Sequence, residues 1–235
     1  MKKQRTILVI SSILVLSFAL CFIQTLVLAE QAKLQEDKDV NFLWTFVLLK
    51  KKNQGSAFIA ITRDTVLKSG DQLKMLVKLN KKCFVYVFFY SSQGDLYMLF
   101  PYNFSQFSND YEVSKNYYIP QGNLVLELDE NVGKEKIYLI ASAQRIPELE
   151  NLYSSYKSIE KSDKPEFIKN IIHEIRQLRK RHKKFTAEAE RPVAGIGALR
   201  THIVREETEF SDLEKMAIEF TAKSFFVKTF TIEHK

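Results

Sequence analysis

His173-Glu174 begins the pattern His-Glu-x-x-His, in which two imidazoles one helical turn apart hold a zinc ion and the glutamate activates its water. The second histidine would fall at position 177, where Gln177 stands instead. A side-chain amide is a poor zinc ligand, so no metal is expected. His182, His202 and His234 show no ligand spacing either. Gly195-Ile196-Gly197 offers two glycines of a dinucleotide turn, but Arg200 takes the third place, and a bulge or hinge fits better. The chain has no Gly-x-Ser-x-Gly elbow and no Gly-Lys-Ser/Thr loop. The acid pairs Asp129-Glu130 and Glu206-Glu207 fall at turns. Neighbouring acids on a strand end point to opposite faces and cannot converge as glycosidase carboxylates must. The expectation is a protein that is not an enzyme, with no catalytic residues and no cofactor.

Two stretches carry side chains that suit binding. In "IRQLRKRHKKF", Arg176, Arg179, Lys180, Arg181, Lys183 and Lys184 gather near a helix C-terminus. Six cations there favour the helix dipole and suit an anionic lipid surface or an acidic wall polymer, or they form a solvated face. In "PYNFSQFSNDY", the rings of Tyr102, Phe104, Phe107 and Tyr111 cannot all be hidden in a short loop unless it folds back. Displayed beside Asn and Gln, they suit a sugar ring or a protein partner. Folded back, they anchor the loop to the body.

These stretches need a body to hold them. The chain has 235 residues, of which 46% are apolar. Met1-Lys2-Lys3-Gln4-Arg5 precedes an apolar run from Ile7 to Ala29, with compact residues at Val27 and Ala29. A basic tip, an apolar run and a small residue form a secretory signal. The run also exceeds the roughly 20 residues that span a bilayer, so an uncleaved anchor is the rival reading. Either way the body lies outside the cytoplasm: periplasmic, cell-surface or secreted. A lipid-modified Cys21 is disfavoured because Leu20 before it is not small. Lys2, Lys3 and Arg5 are three of the 35 basic residues, which leaves 32 against 28 acids. That balance, with export, argues against nucleic acid. Beyond the signal only Cys83 remains, so no internal disulfide forms, and its setting reads as a buried apolar residue.

Residues 30–39 read as a tether and 40–235 as one β-sandwich domain. "NFLWTFVLL" puts Phe42, Trp44, Phe46 and Leu48 on one face. "DQLKMLVKLN" puts Leu73, Met75, Val77 and Leu79 on one side, with Lys74 and Lys78 opposite, the alternation of a half-buried strand. "CFVYVFFY" is apolar on both faces and must be covered on both. Gly94 closes the turn that follows, and Pro101 ends the return strand "LYMLF". "YYIP", "NLVLELD", "EKIYLIAS", "GALRTHIV" and "SFFVKTFTIEH" add strands. The spacing predicts a mainly β protein, an antiparallel β-sandwich that is immunoglobulin-like or barrel-like.

A two-helix insertion near 148–184 interrupts it. Leu149, Leu152, Tyr153 and Tyr156 recur at helical intervals. The second helix opens at Asp163-Lys164-Pro165-Glu166, where Asp163 can cap and Glu166 can reach back. Its stripe is Ile168, Ile171, Ile172, Ile175 and Leu178. These greasy faces need burial, and the doubly apolar hairpin needs cover, so the two are expected to pack together.

"LKSGDQLKMLVKLNKKCFVYVFFYSSQGDLYMLFP", "YYIP" and "LELDENVGKEKIYLIASAQRIPELENL" resemble the bacterial family known as domain of unknown function 4384. The shared features are Gly70-Asp71, the strand Tyr86 to Tyr90, Gly94, Leu99-Phe100-Pro101, Ile119-Pro120 and Ile140-Ala141-Ser142. The resemblance runs from about Thr65 to Leu152, and the closing "FFVKTFTIEH" is similar to the end of longer members. Where members carry Gly before the Tyr-x-Ile-Pro strand, this chain has Ser114-Lys115-Asn116, and Asn116 is expected to take the left-handed turn. The resemblance implies export and a β fold and brings no assigned reaction. The expected function is an exported cell-envelope binding or scaffold module with a protein or glycan partner. The alternatives are an enzyme of unrecognised type and a membrane-anchored sensor or assembly factor.

Overall fold

Alternating apolar residues decide the first strand. In β1 (Asp39–Lys52), Val40, Phe42, Trp44, Phe46 and Leu48 are buried in one core cluster. The structure, a computed structural model, describes residues 39–52, 55–182, 189–192, 202–204 and 210–235. The apolar segment 1–29 and the tether, save Asp39, lie outside the described residues. β4 (Gln72–Leu79) runs antiparallel beside β1, with Trp44 opposite Val77 and Phe46 opposite Met75. The other edge of β1 is shared by β12 (Ile218–Lys223) and β2 (Gly55–Ala60). β10 (Ala189–Pro192) and β11 (His202–Val204) extend those two strands. β7 (Asn116–Ile119) and β8 (Leu126–Glu127) pair with the far edge of β4, giving an eight-stranded sheet.

The second sheet has five strands in the order β3 (Thr65–Leu67), β13 (Phe225–His234), β9 (Gly133–Ser142), β5 (Phe84–Tyr90) and β6 (Leu96–Phe100). The expected sandwich is therefore present, with one departure: β3 and β13 pair in parallel. Between the sheets, Val85 and Val87 of β5 meet Phe100, Leu139, Phe226 and Phe230 in the same cluster as Trp44 and Met75. The outer face of β5 presents Tyr86 and Phe88, beside Tyr138, Ile140 and Phe225.

That outer face is covered by α2 (Pro147–Ser158) and α3 (Lys164–His182). Leu149, Tyr153 and Tyr156 of α2 and Ile168, Ile171, Ile175 and Leu178 of α3 are buried against it. Each such side chain contributes about 1.5–3 kcal/mol of burial before ordering costs. A polar lock sets the start of α2. The Tyr86 hydroxyl donates to Glu150 Oε1 at 2.6 Å and accepts from the Ile146 N–H at 3.1 Å. Arg145 pairs with the same carboxylate. At the entry to α3, the Asp163 carbonyl accepts the Glu166 N–H, while its carboxylate takes the Ser162 hydroxyl in place of the expected reciprocal cap.

The eight-stranded sheet has its own outer cover. Phe210 and Leu213, from the 3-10 helix Phe210–Met216, lie over Val47, Phe58 and Leu76. The Thr45 hydroxyl donates to the Leu213 carbonyl at 2.9 Å. In the turn before β7, Ser114 takes positive φ (67°) and Asn116 already belongs to the strand, which corrects the sequence expectation.

Candidate functional site

Lys68-Ser69-Gly70-Asp71 carries the chain from β3 in one sheet to β4 in the other. The Lys68 carbonyl accepts the Asp71 N–H at 3.0 Å, and Gly70 has φ 80°, the conformation a tight turn needs at its third residue. The Lys68 N–H donates to Asp71 Oδ2 at 2.9 Å, and the Gly70 N–H to the Leu128 carbonyl at 2.8 Å. The turn lies at the end of the inter-sheet core that holds Leu67, Leu128 and Ile232. There β13 and β9 place His234 and Glu135 on diagonal positions of one face: Ile232 pairs with Glu135, and His234 with Gly133.

The outcome is a chain of three polar groups. Ser69 Oγ lies 3.0 Å from His234 Nε2, and His234 Nδ1 lies 3.6 Å from Glu135 Oε1. Ser69 is exposed, whereas His234 and Glu135 are each only 3% exposed. His234 Nδ1 and Glu135 Oε2 are buried without a hydrogen-bond partner. Burial pushes the Glu135 carboxyl up, the imidazole beside it pulls it down, and Asp129 adds to the rise. The sequence reading took Ser69 as part of a turn and His234 as a histidine without ligand spacing. One signal was there: strict alternation in "TFTIEH" puts His234 on the same face as Phe230 and Ile232, an inward place for a polar ring.

Lys74 is a correction. Strand alternation set it opposite the core, on a solvated face, yet it is 0% exposed. Its Nζ donates to the Pro120 and Gly122 carbonyls, both at 2.7 Å, and to the Leu124 carbonyl. The ammonium also sits 4.3 Å from the centre of the Phe210 ring. Burial lowers it to about 8, but three carbonyls engage all three of its hydrogens, which favours the charged form and leaves no lone pair for nucleophilic work.

The aromatic loop folds back on the body. Phe107, in α1 (Gln106–Asn109), lies 5.2 Å from both Phe84 and Tyr86. Tyr111 lies 4.9 Å from Phe107, and its hydroxyl accepts the Val85 N–H at 2.9 Å. Tyr102 donates to the Tyr118 carbonyl at 2.6 Å, and Phe104 meets Tyr153 edge-on at 6.2 Å. Desolvation holds the Tyr111 phenol well above its usual range and pushes Tyr102 up to about 12. The structure brings the four rings together as packing for the loop. The outer positions there belong to Asn103, Ser105, Ser108, Asn109 and Asp110.

On α3, Arg176, Arg179, Lys180 and Arg181 are exposed, and Arg181 pairs with Glu174 at 2.5 Å. Lys183 and Lys184 lie outside the described residues, as do Gly195, Gly197, Arg200, Glu206 and Glu207. His173 contacts Gln177 through its Nε2 at 3.1 Å, and among the described residues no three ligating side chains converge on a metal position. Asp129 caps its own turn, accepting from the Asn131 N–H at 2.8 Å. Cys83 is buried, and desolvation pushes its thiol up to about 12. No helix among the described residues is long and apolar enough to cross a membrane.

Fold and site together define a two-sheet β protein with a helical pair over one outer face. Residues 66–145, about a third of the chain, match the family model described as Domain of unknown function (DUF4384). The resemblance seen in the sequence holds there, while residues 146–152 and the closing strand lie beyond the match. Ser69, Lys74, Glu135 and the aromatic loop fall inside it; His234 and α3 do not. No curated protein and no solved structure matches the chain.

Proposed function

We propose that the protein is an exported binding or scaffold module of the cell envelope, held to an anionic surface through α3 and engaging a protein or glycan partner. The two-sided character of α3 carries this reading. Its isoleucine stripe fixes the helix to the body, and the opposite side turns Lys169, Arg176, Arg179 and Lys180 outward. Each cation near an anionic membrane contributes about 1 kcal/mol, and the attraction fades within a Debye length of about 8 Å at physiological salt. Export is supported by the basic tip and apolar run of residues 1–29, which also favour a position beside a membrane.

The test is sedimentation of the full-length protein with phosphatidylglycerol and phosphatidylcholine vesicles. The difference between the two isolates headgroup charge from any insertion by the N-terminal segment. The triple variant R176Q/R179Q/K180Q is expected to weaken the anionic preference about 100-fold, by removal of about 3 kcal/mol. Salt should weaken the wild type in the same way. An unchanged preference in the variant rejects α3 as the contact.

A further inference from the structure

We propose that Ser69, His234 and Glu135 form a nucleophile, base and acid array, and that Ser69 accepts acyl groups from small esters. This activity goes beyond the binding role above. The hydroxyl is on the surface and hydrogen-bonded to an imidazole, and a carboxylate lies beyond the far nitrogen of that ring. Those are the positions that let an imidazole act as base and be steadied as it gains charge. A polar plug serving only to seal the sandwich would be expected to satisfy its buried atoms. Here His234 Nδ1 and Glu135 Oε2 are unsatisfied, and Nδ1 stands 3.6 Å from the other carboxylate oxygen, Oε1, a loose contact of the kind that tightens when a catalytic site is engaged.

Access and oxyanion support come from the turn. Nothing lies within 4 Å of where a side chain would stand on Gly70, so one side of the turn is open to a substrate. The N–H groups of Lys68, Gly70 and Asp71 are committed, whereas that of Ser69 has no acceptor among the described residues. It is the donor available to a developing oxyanion. In the reaction, Ser69 Oγ adds to the ester carbonyl and its proton passes to His234 Nε2. Collapse of the tetrahedral species breaks the bond to the alcohol, which leaves with that proton. Water, deprotonated by His234, then adds to the acyl carbon, and collapse of this second tetrahedral species breaks the bond to Ser69 Oγ, which takes the proton back from His234 as the carboxylic acid is released. Glu135 is a positioning residue: it holds the tautomer with Nδ1–H facing it and the Nε2 lone pair facing Ser69.

The test is labelling of the full-length protein with a biotinylated fluorophosphonate, with the adduct located by mass spectrometry across a pH series. Labelling at Ser69 is expected to exceed that at the exposed Ser105 by at least about 100-fold and to fall on the acid side as the base is protonated. S69A should remove it, and because Ser69 is exposed this variant keeps the fold. H234Q should lower the rate by at least about 100-fold. E135Q should move the acid limb to lower pH, a shift a merely structural carboxyl would not produce. Replacing either buried group can unfold the chain, so the wild type also decides alone. Labelling of Ser69 no faster than Ser105, or a rate that does not follow pH, overturns the proposal.

Discussion

Lys74 spends its ammonium hydrogens on one short loop, Pro120 to Leu124, and its charge on the face of Phe210. A methionine would fill much of the same space but leave three carbonyls without their donor. Each buried unsatisfied group costs about 1–3 kcal/mol, so K74M is expected to lower unfolding free energy by about 3 kcal/mol or more in urea titration. A loss under 1 kcal/mol would show that water replaces the ammonium and that the clamp is dispensable. The position of Lys74 on its strand was legible, because alternation fixes which face a residue takes. Its burial was not. The cover over that face comes from Phe210 and Leu213, more than a hundred positions further on, and nothing local to "QLKMLVKL" announces it. The Ser69 array was hidden for the same reason: its members stand on three separate segments that only the fold brings together.

The edge strand β6 shows how one element protects another. Its outward Leu96 and Met98 N–H groups are taken by the hydroxyls of Tyr156 and Tyr153, at 3.3 and 2.9 Å. A free strand edge is a template for pairing with another chain, and here α2 caps it with phenols. The double variant Y153F/Y156F keeps the buried rings and removes the caps. It is expected to remain folded by circular dichroism and to self-associate with rising concentration in size-exclusion chromatography. A strictly monomeric variant would show that steric cover by α2 is enough. The helices themselves were legible: their stripes have the right period, and the two-sided hydrophobicity of β5 demanded something to lie on it. β12 was missed, because "IEFTAK" is short and of mixed character, and it is held as a strand by its register with β1.

In the whole molecule, the family match and the folding unit have different boundaries. Residues 66–145 include β4 and β9 but not β1, which pairs with β4 from Phe42 to Leu49, nor β13, which pairs with β9 along its entire length. Expressed alone, that segment is expected to show no cooperative unfolding transition and to bind a hydrophobic dye, whereas the full chain unfolds cooperatively. A sharp transition in the segment would show that one half of each sheet suffices. The mainly β class and the helical cover were readable from periodicity, but the parallel pairing of β3 with β13 was not, since a three-residue strand carries no direction in its sequence. That pairing bears on biogenesis. A ribosome delivers β3 and β9 long before residues 225–234, so the edge that each gives to β13 waits unmated during synthesis. The five-stranded sheet therefore closes only when residues 225–234 arrive to join β3 to β9.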